Sequence, residues 1–270
     1  MKPFLASSKD SKEFSSLLEQ FMNEFIFKLA ISAQEKERIY RLRYDIYCEE
    51  LGYEEPRDPS KKLEWDIHDQ NSIHCFIEHR RTGLIAGCVR LVIPNPSSPP
   101  PLNQLPLQSY GYQSLTHPTL HPDHLPPESY YEISRLAVNR IFRSKIQDND
   151  VPGVSGNPAV FTPQEKQIFP LLVSGLFLAG YALGRMTGKI QVFAMMEPRL
   201  PRLLAMSGFH FTKVGETIDF HGRRSAYYID SQQAEKGMHA ALMPLYLHIR
   251  HELSPQLKDL SMTEASVYCS

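Results

Sequence analysis

Apolar residues recur at helical spacing near the start of the chain. Between positions 11 and 30 they fall three or four apart, and they are Phe14, Leu17, Leu18, Phe21, Met22, Phe25, Ile26 and Leu29. The spacing predicts an amphipathic helix over 11–30 that docks on the core. The abundance of Phe leaves open a lid over a fatty-acyl pocket. A second helix is predicted over 33–50, where Arg43 and Tyr47 stand four apart and so share a face.

Alternating or continuous apolar runs then indicate strands. Residues 72–79 and 84–93 flank Arg81-Thr82-Gly83, which predicts a β-hairpin. The remaining predicted strands cover 131–139, 189–196, 209–220 and 224–230, and the remaining predicted helices cover 164–186, 199–207 and 232–252. This order of elements indicates a chain of the mixed α/β (α+β) class.

Ten of the chain's 21 prolines lie between residues 94 and 127. Proline fixes φ and lacks a backbone N–H, so this density predicts an insertion without regular elements on the surface. The chain is therefore interpreted as one domain over 1–270, with a proline-rich insertion at 94–127 and a C-terminal helix and tail over 231–270.

Composition narrows the classes of function. A hydrophobic share of 42% supports a substantial core, and a formal net charge of −1 gives no basic field for nucleic acid. The scattered cysteines, without C-x2-C pairs, favour a reducing compartment; they are Cys48, Cys75, Cys88 and Cys269. No signal peptide is predicted. The apolar run over 170–183 is shorter than the roughly 20 residues of a membrane span, so we expect a buried helix and a cytoplasmic protein.

Charged and aromatic residues with regular spacing stand in or beside the apolar segments. They form the patterns R-x3-Y-x5-Y, D-x2-D, a lone Arg and E-x2-R, and they are Arg43, Tyr47, Tyr53, Asp66, Asp69, Arg90, Glu132 and Arg135. Buried charge is unfavourable unless it is paired, so this set indicates a functional site.

The pattern resembles that of the acyl-homoserine-lactone synthases, bacterial autoinducer makers on the GNAT acyltransferase fold. In that family the aromatic positions are typically Phe and Trp, where this chain has Tyr47 and Tyr53. The E-I-S-R-L-A-V stretch over 132–138 is more similar to acyltransferases of exosortase (PEP-CTERM) systems, which are related to N-acyl amino acid synthases. The segment 206–216 looks like the Gly-Phe turn of many GNAT enzymes. The resemblance covers about 35–230 and implies a GNAT-like acyl-CoA N-acyltransferase fold, with a mixed central sheet and flanking helices.

The resemblance implies that the strand over 131–139 diverges from its neighbour and admits the pantetheine arm of an acyl thioester beside Leu136 and Val138. Glu132 is the first choice for the base that accepts a proton from the attacking amine, because burial raises a carboxylate's pKa. Ser134 and Arg135 are grouped with it as catalytic. Alternatively, Glu132 pairs with Arg135 or Arg90 and braces the sheet.

Glu132 and Arg135 are three apart, and a regular strand would turn them to opposite faces. If both serve one site, a β-bulge near Ile133 and Ser134 is required.

The resemblance also implies an acceptor-binding set, which comprises Arg43, Tyr47, Tyr53, Asp66, Asp69 and Arg90. Since arginine forks a carboxylate, Arg90 or Arg135 is expected to bind the carboxylate of an amino acid, and Asp66 or Asp69 its ammonium group. A loop fixed by salt bridges is the alternative for the D-x2-D pair. No metal is expected.

The expected donor follows from a departure from the coenzyme A enzymes. Those enzymes usually carry a glycine-rich loop after this strand, whereas residues 139–145 contain no glycine. Autoinducer synthases depart likewise and use acyl carrier protein, so Arg140, Arg143 and Lys145 are expected to meet its phosphopantetheine phosphate and acidic surface. A solvated basic loop is the alternative, and the glycines at 153 and 156 leave coenzyme A possible.

The sequence therefore predicts an N-acyltransferase that moves a medium or long acyl chain from acyl carrier protein to an amino acid. The alternatives are an acyl-homoserine-lactone synthase using S-adenosylmethionine, a coenzyme A-dependent acetyltransferase, and a module that binds without turnover. No bound cofactor is expected beyond the acyl-phosphopantetheine thioester as co-substrate. Leu204 stands where many GNAT enzymes carry a tyrosine, so no tyrosine acid is expected there.

Overall fold

The computed structural model describes residues 8–143 and 161–268, with side chains described over 11–143 and 161–260. Within these residues the strands are β1 Phe25–Leu29, β2 Ser72–His79, β3 Ile85–Val92, β4 Tyr130–Val138, β5 Gln191–Met196, β6 Thr212–Lys213, β7 Ile218–Asp219 and β8 Arg223–Asp230. They form one sheet in the order β1-β2-β3-β4-β5-β8-β6, with β7 beside β8. Neighbours are antiparallel, except that β4 and β5 are parallel.

Helices cover the sheet. They are α1 Ser8–Glu24, α2 Ala33–Arg43, α3 Pro106–Tyr110, α4 Pro163–Ile168, α5 Leu172–Met186, α6 Arg199–Met206, α7 Ser231–Gly237 and α8 Met243–Tyr268. The mixed class, the hairpin of β2 and β3, and the strand–helix–strand order of the second half are confirmed.

The predicted helix over 11–30 is wrong in its last part, which forms β1. Phe25, Phe27 and Leu29 are buried while the residues between them are half-buried, the alternation of a strand. A stripe rich in Phe fits both periods, and pairing with β2 decides for the strand. The α1 part docks on the core, where Phe21 contacts α5.

The free edge of β1 is covered by side chains of α8. Glu252 Oε2 accepts the Phe27 N–H at 2.8 Å, and Gln256 Oε1 accepts the Leu29 N–H at 2.8 Å. These bonds satisfy backbone groups at an edge that would otherwise be open to another strand.

The predicted single helix over 232–252 is wrong, since α7 ends at Gly237. The His239 N–H then bonds the Ser207 carbonyl at 3.1 Å before α8 begins.

The predicted helix over 33–50 changes its winding after Arg43. Residues Tyr44–Glu50 form a π-helical segment, closed by the Leu51 N–H bonding the Ile46 carbonyl at 3.0 Å. Such segments are rare and concentrate at functional sites. The segment carries Tyr47 toward β4.

The proline-rich insertion contains a helix, α3, contrary to expectation, and part of it is core. Leu107 and Leu115 are buried against residues of β5 and β8. A β-carbon on Gly215 would lie 1.2 Å from the Ser114 carbonyl oxygen, so only glycine admits this approach. Since the insertion also bonds Val214, the predicted strand over 209–220 is reduced to β6 and β7.

The long apolar helix is buried. The predicted helix over 164–186 consists of α4, a tight turn at Phe169–Leu171 and α5. Among the described residues, Pro163–Met186 is the segment long and apolar enough to cross a bilayer, yet 78% of its apolar window is buried within the protein. It packs on β2, β3 and β4 as the core helix that the sequence predicts.

Candidate active site

The parallel strands β4 and β5 separate after their first residues. Tyr130–Glu132 pairs with Gln191–Phe193, and beyond that point the strands diverge. A cleft of about 320 Å³ opens between them. Leu136 and Val138 line it from β4, and buried Phe177 and Leu204 line it from the helices. The expected divergence is confirmed, and beyond Glu132 it leaves the edge of β4 that faces β5 without a pairing strand among the described residues.

A β-bulge in β4 brings three of the predicted site residues to one pocket. Arg90 pairs with Ser134 and Cys88 with Ala137, so three steps on β4 oppose two on β3. The extra step is taken at Arg135, whose φ of 49° lies in the left-handed region. The predicted bulge is confirmed, but it lies just after Ser134. As a result Glu132, Ser134 and Arg135 line the same smaller pocket of about 70 Å³.

The larger cleft and the smaller pocket meet at a junction. The lining residues that they share are Tyr47, Ser134, Arg135, Met195 and Arg224. An acyl group in the cleft and an acceptor in the pocket would come together at this junction.

Glu132 is a buried carboxylate in the wall of the smaller pocket, 2% exposed. Its Oε2 accepts the backbone N–H of Leu107, in the first turn of α3, at 2.8 Å. Burial raises its pKa to about 7, although this hydrogen bond and the charges of Arg90 and Arg135 oppose the shift. The alternative expectation of an ion pair with Arg90 or Arg135 is not met, since no ion pair of Glu132 is found among the described residues.

Arg43 lies fully buried beneath the smaller pocket. Its Nη1 and Nη2 donate to the two carboxylate oxygens of Asp69 at 2.8 and 3.1 Å, and its Nε donates to Glu64. Although burial favours a neutral acid, the guanidinium groups of Arg43 and Arg90 hold the pKa of Asp69 well below its usual range. Arg43 and Asp69, both predicted to bind substrate, therefore lie behind the pocket wall and support it.

Arg90 lies in the wall of the smaller pocket, and one of its nitrogen atoms makes no hydrogen bond to the described residues. Its Nη1 donates to Asp66 at 2.7 Å and to Asp69 at 2.9 Å, and its Nε donates to Ser134 Oγ at 3.0 Å. Its Nη2 is buried, and no hydrogen-bond partner for it is found in the described part of the chain. A buried donor without a partner is costly, so this nitrogen is a candidate for binding a ligand carboxylate.

The guanidinium group of Arg135 is held by three carboxylates. Its Nη2 donates to Glu54 at 2.7 Å, to Glu64 at 3.1 Å and to Asp66 at 3.3 Å. Its guanidinium carbon also lies 5.4 Å from the centre of the Tyr47 ring. These contacts hold the side chain that the bulge has turned toward the pocket.

The two aspartates of the D-x2-D pair stabilise the start of a short helix. Asp66 accepts the His68 N–H at 2.9 Å, and Asp69 Oδ2 accepts the Asp66 N–H at 2.7 Å, which forms a capping box on the short helix Ile67–Asn71. Salt bridges fix this turn, as the alternative interpretation held. Of the two carboxylates, Asp66 lines the smaller pocket.

The two tyrosines face the larger cleft. The Tyr47 hydroxyl donates to the Leu136 carbonyl at 3.1 Å. Tyr53 lines the cleft and stacks on His221 with ring centres 5.3 Å apart. Tyr47 alone of the two also borders the smaller pocket.

The basic residues after β4 are partly engaged. Arg143 lines the cleft, and its Nη1 and Nη2 donate to the carboxylate of Glu50 at 2.6 and 2.8 Å. Arg140 is exposed in the turn that follows β4. Lys145 and the glycines at 153 and 156 lie outside the described residues.

Several site groups were missed by sequence reasoning. They are the Leu107 N–H, Glu54, Glu64 and Arg224. Glu64 carried a signal, since it directly precedes the Trp65-Asp66 pair. The Leu107 N–H carried none, because a backbone group has no sequence signature.

Comparisons with known proteins agree with the fold. The acetyltransferase (GNAT) domain family matches residues 42–148. The solved structure of BjaI, a CoA-dependent acyl-homoserine lactone synthase with SAM and isopentyl-CoA, is similar with a TM-score of 0.55 and 21% identity, over 84% of this chain and 89% of that chain. TofI in a ternary complex with an inhibitor and MTA is similar with a TM-score of 0.52 and 19% identity, over 78% and 96%.

FeeM, an N-acyl amino acid synthase from uncultured soil microbes, is similar with a TM-score of 0.51 and 12% identity, over 81% of this chain and 97% of that chain. No match was found among curated proteins. At these identities the solved structures establish the fold alone, and it is the predicted GNAT-like fold. The matched domain supports an acyltransferase. The association with exosortase systems stays a prediction.

Proposed function

We propose that the protein is an N-acyltransferase that moves a medium or long fatty acyl group from acyl carrier protein to the amine of an amino acid, giving an N-acyl amino acid. The observation that carries the proposal is the position of Glu132. This carboxylate, with its pKa near 7, lines a small pocket that joins the cleft between β4 and β5. An amino-acid amine is mostly protonated at neutral pH, and a base of this pKa is suited to accept its proton.

The cleft supports an acyl thioester as the donor. Its β4 edge is available to pantetheine amides, and Phe177, Leu200 and Leu204 give it an apolar side for an acyl chain. Arg199 and Arg202 are exposed on the helix that forms this side. Positive charge on the outer face of this helix would complement an acidic carrier protein.

The smaller pocket supports an amino acid as the acceptor. The unpartnered Nη2 of Arg90 would donate to the acceptor carboxylate, and Asp66, which lines the same pocket, would receive the ammonium group. Deprotonation by Glu132, directly or through water, would then release the amine for attack on the thioester carbonyl. The likeness to the FeeM fold supports this acceptor class.

A second candidate, acyl-homoserine-lactone synthesis from S-adenosylmethionine, is favoured by one observation. A further pocket of about 240 Å³ lies beside the smaller pocket. The two share the lining residues Asp66, Tyr110, Arg135 and Phe220, and Trp65 and Glu55 also line the further pocket. Acidic and aromatic walls suit a large cationic acceptor.

A product assay by mass spectrometry tests the proposal. The protein is supplied with octanoyl or palmitoyl acyl carrier protein, or the matching acyl coenzyme A, together with amino acids or S-adenosylmethionine. We expect N-acyl amino acids from the carrier-bound donor. An acyl-homoserine lactone would support the second candidate, and activity with coenzyme A donors alone would reject the carrier protein. No amide from any combination would reject the proposed function.

A further inference from the structure

Arg224 occupies the junction of the two cavities. It stands on β8 next to Ser225, which pairs with Met196 at the end of β5. Its side chain is 19% exposed and lines both the larger cleft and the smaller pocket. It therefore lies on the β5 side of the cleft, across from the β4 edge.

The side-chain contacts of Arg224 belong to the acyl side of the junction. Its Nη2 lies 3.3 Å from Glu197, and its guanidinium carbon lies 5.4 Å from the centre of the Tyr53 ring. Glu197 and Tyr53 line the larger cleft and not the smaller pocket. The Nε of Arg224 also donates to the backbone carbonyl of His221, at a long 3.4 Å. Since the Glu197 side chain is 51% exposed, this ion pair is weak and the guanidinium can turn at small cost.

Arg224 is the least engaged cation in the described lining of the cleft. Arg135 is held by three carboxylates, and Arg143 is paired through both terminal nitrogens with Glu50. The neighbouring walls are apolar, with Met195 and Leu204. Among the described arginines that line the cleft, Arg224 is therefore the one that can turn most easily toward a negative charge that develops on the acyl side.

We propose that Arg224 is a catalytic residue that stabilises the thiolate leaving group, an inference that rests on the proposed acyl transfer. The acceptor nitrogen forms a bond to the thioester carbonyl carbon, and the C–S bond breaks with its electron pair going to sulfur. Glu132 takes the first proton from the ammonium group and releases it to solvent. The second proton, which the nitrogen loses after its attack, passes through Glu132 and water to the thiolate, so the products are an amide, a thiol and one proton in solution. The guanidinium, which stays charged, offsets the charge on sulfur while it forms.

The test compares two acyl donors that differ in the basicity of their thiol. Octanoyl-pantetheine releases an alkyl thiolate, which needs stabilisation, and octanoyl-thiophenol releases a much less basic one. In Arg224→Gln we expect kcat/KM to fall about 10- to 100-fold with the pantetheine donor and less than about 3-fold with the thiophenol donor. Arg224→Lys should recover part of the rate. Arg223→Gln, an exposed arginine on the same strand, is the matched control and should behave like wild type with both donors.

Two results would overturn the inference while wild type remains active. An equal loss with both donors would make Arg224 structural. A rise in acceptor KM that disappears with an amino-acid amide as acceptor would instead assign Arg224 to the acceptor carboxylate. A wild-type protein that acylates no amine even with octanoyl acyl carrier protein would reject the proposed function and this inference together.

Discussion

The backbone N–H of Leu107 donates to Glu132 Oε2 at 2.8 Å and so joins the proline-rich insertion to the central strand of the candidate site. Leu107 lies in the first turn of α3, where an N–H has no partner within its own helix. The insertion thereby covers the carboxylate and removes it from water. Burial, to which the insertion contributes, raises the pKa of Glu132, while the hydrogen bond from Leu107 opposes that shift.

Glu132→Gln keeps the shape of the side chain and removes the base. If Glu132 accepts the amine proton, kcat/KM should fall about 100- to 10,000-fold. For wild type, kcat/KM should rise with pH and level off above an apparent pKa near 7, because the carboxylate acts only when deprotonated. Initial rates from pH 5 to 9 check both points.

The matched control is Glu128→Gln, an exposed carboxylate four residues earlier. It should retain the wild-type rate and pH profile. A Glu132→Gln variant with unchanged activity would leave Glu132 a structural residue.

The same carboxylate should affect stability in a pH-dependent way. Its folded-state pKa is raised from 4.5 to about 7, so its contribution to stability is full below pH 4.5 and is lost as pH rises through 7. Between pH 5 and 8.5 wild type should lose about 2 to 3 kcal/mol relative to Glu132→Gln, which does not titrate. Urea denaturation of both proteins at the two pH values measures this change. A constant difference would contradict the buried, high-pKa carboxylate.

Gly215→Ala tests the link between the insertion and the site. The new β-carbon would meet the Ser114 carbonyl at 1.2 Å, and a backbone atom cannot yield easily, so the insertion should shift. Thermal stability should fall, and water reaching Glu132 should move the pH–rate midpoint down from 7. A normal melting temperature with an unshifted midpoint would show that the insertion does not depend on this approach.

The sequence is sufficient to identify the charged residues of the candidate site, but it does not show which groups each of them contacts. Arg90, Glu132 and Arg135 could be identified because charge inside apolar runs is unusual, and the three-residue spacing of E-x2-R required a bulge. Their roles could not be divided from the sequence alone. Arg43 is enclosed by Asp69 and Glu64, whereas Arg90 keeps an unpartnered nitrogen, and only the fold shows that difference.

Element boundaries failed where tertiary contacts overruled local pattern. Phe25–Leu29 has a helical continuation in sequence but pairs with β2 in the sheet. The strand expected over 209–220 is interrupted because the insertion approaches Gly215. The proline density predicted no regular element over 94–127, and this was wrong for α3. Pro106 occupies the first turn of α3, where an N–H has no partner within the helix and its absence costs nothing.

Arg43 should matter for stability more than for binding. Arg43→Ala would leave Asp69 and Glu64 buried without their main counter-charge, so we expect a loss of about 3 to 5 kcal/mol in the free energy of unfolding. Arg38→Ala removes an arginine that is 40% exposed and pairs with Glu78, and the loss should be under about 1 kcal/mol. Denaturant titration of both variants decides; equal small losses would show that the buried cluster tolerates an unpaired carboxylate.

The apolar side of the cleft should set the length of the acyl chain. Leu204 is 2% exposed and lines the cleft together with Phe177 and Leu200. Leu204→Trp would fill part of the 320 Å³ and shorten the space for the chain. With butyryl, octanoyl and palmitoyl donors, the palmitoyl rate should fall at least about 10-fold relative to the butyryl rate, the size of effect that loss of 1 to 2 kcal/mol of apolar contact gives. Because Trp can also disturb folding, the ratio of the rates is the readout. An unchanged ratio in a folded variant would place the acyl chain elsewhere than beside α6.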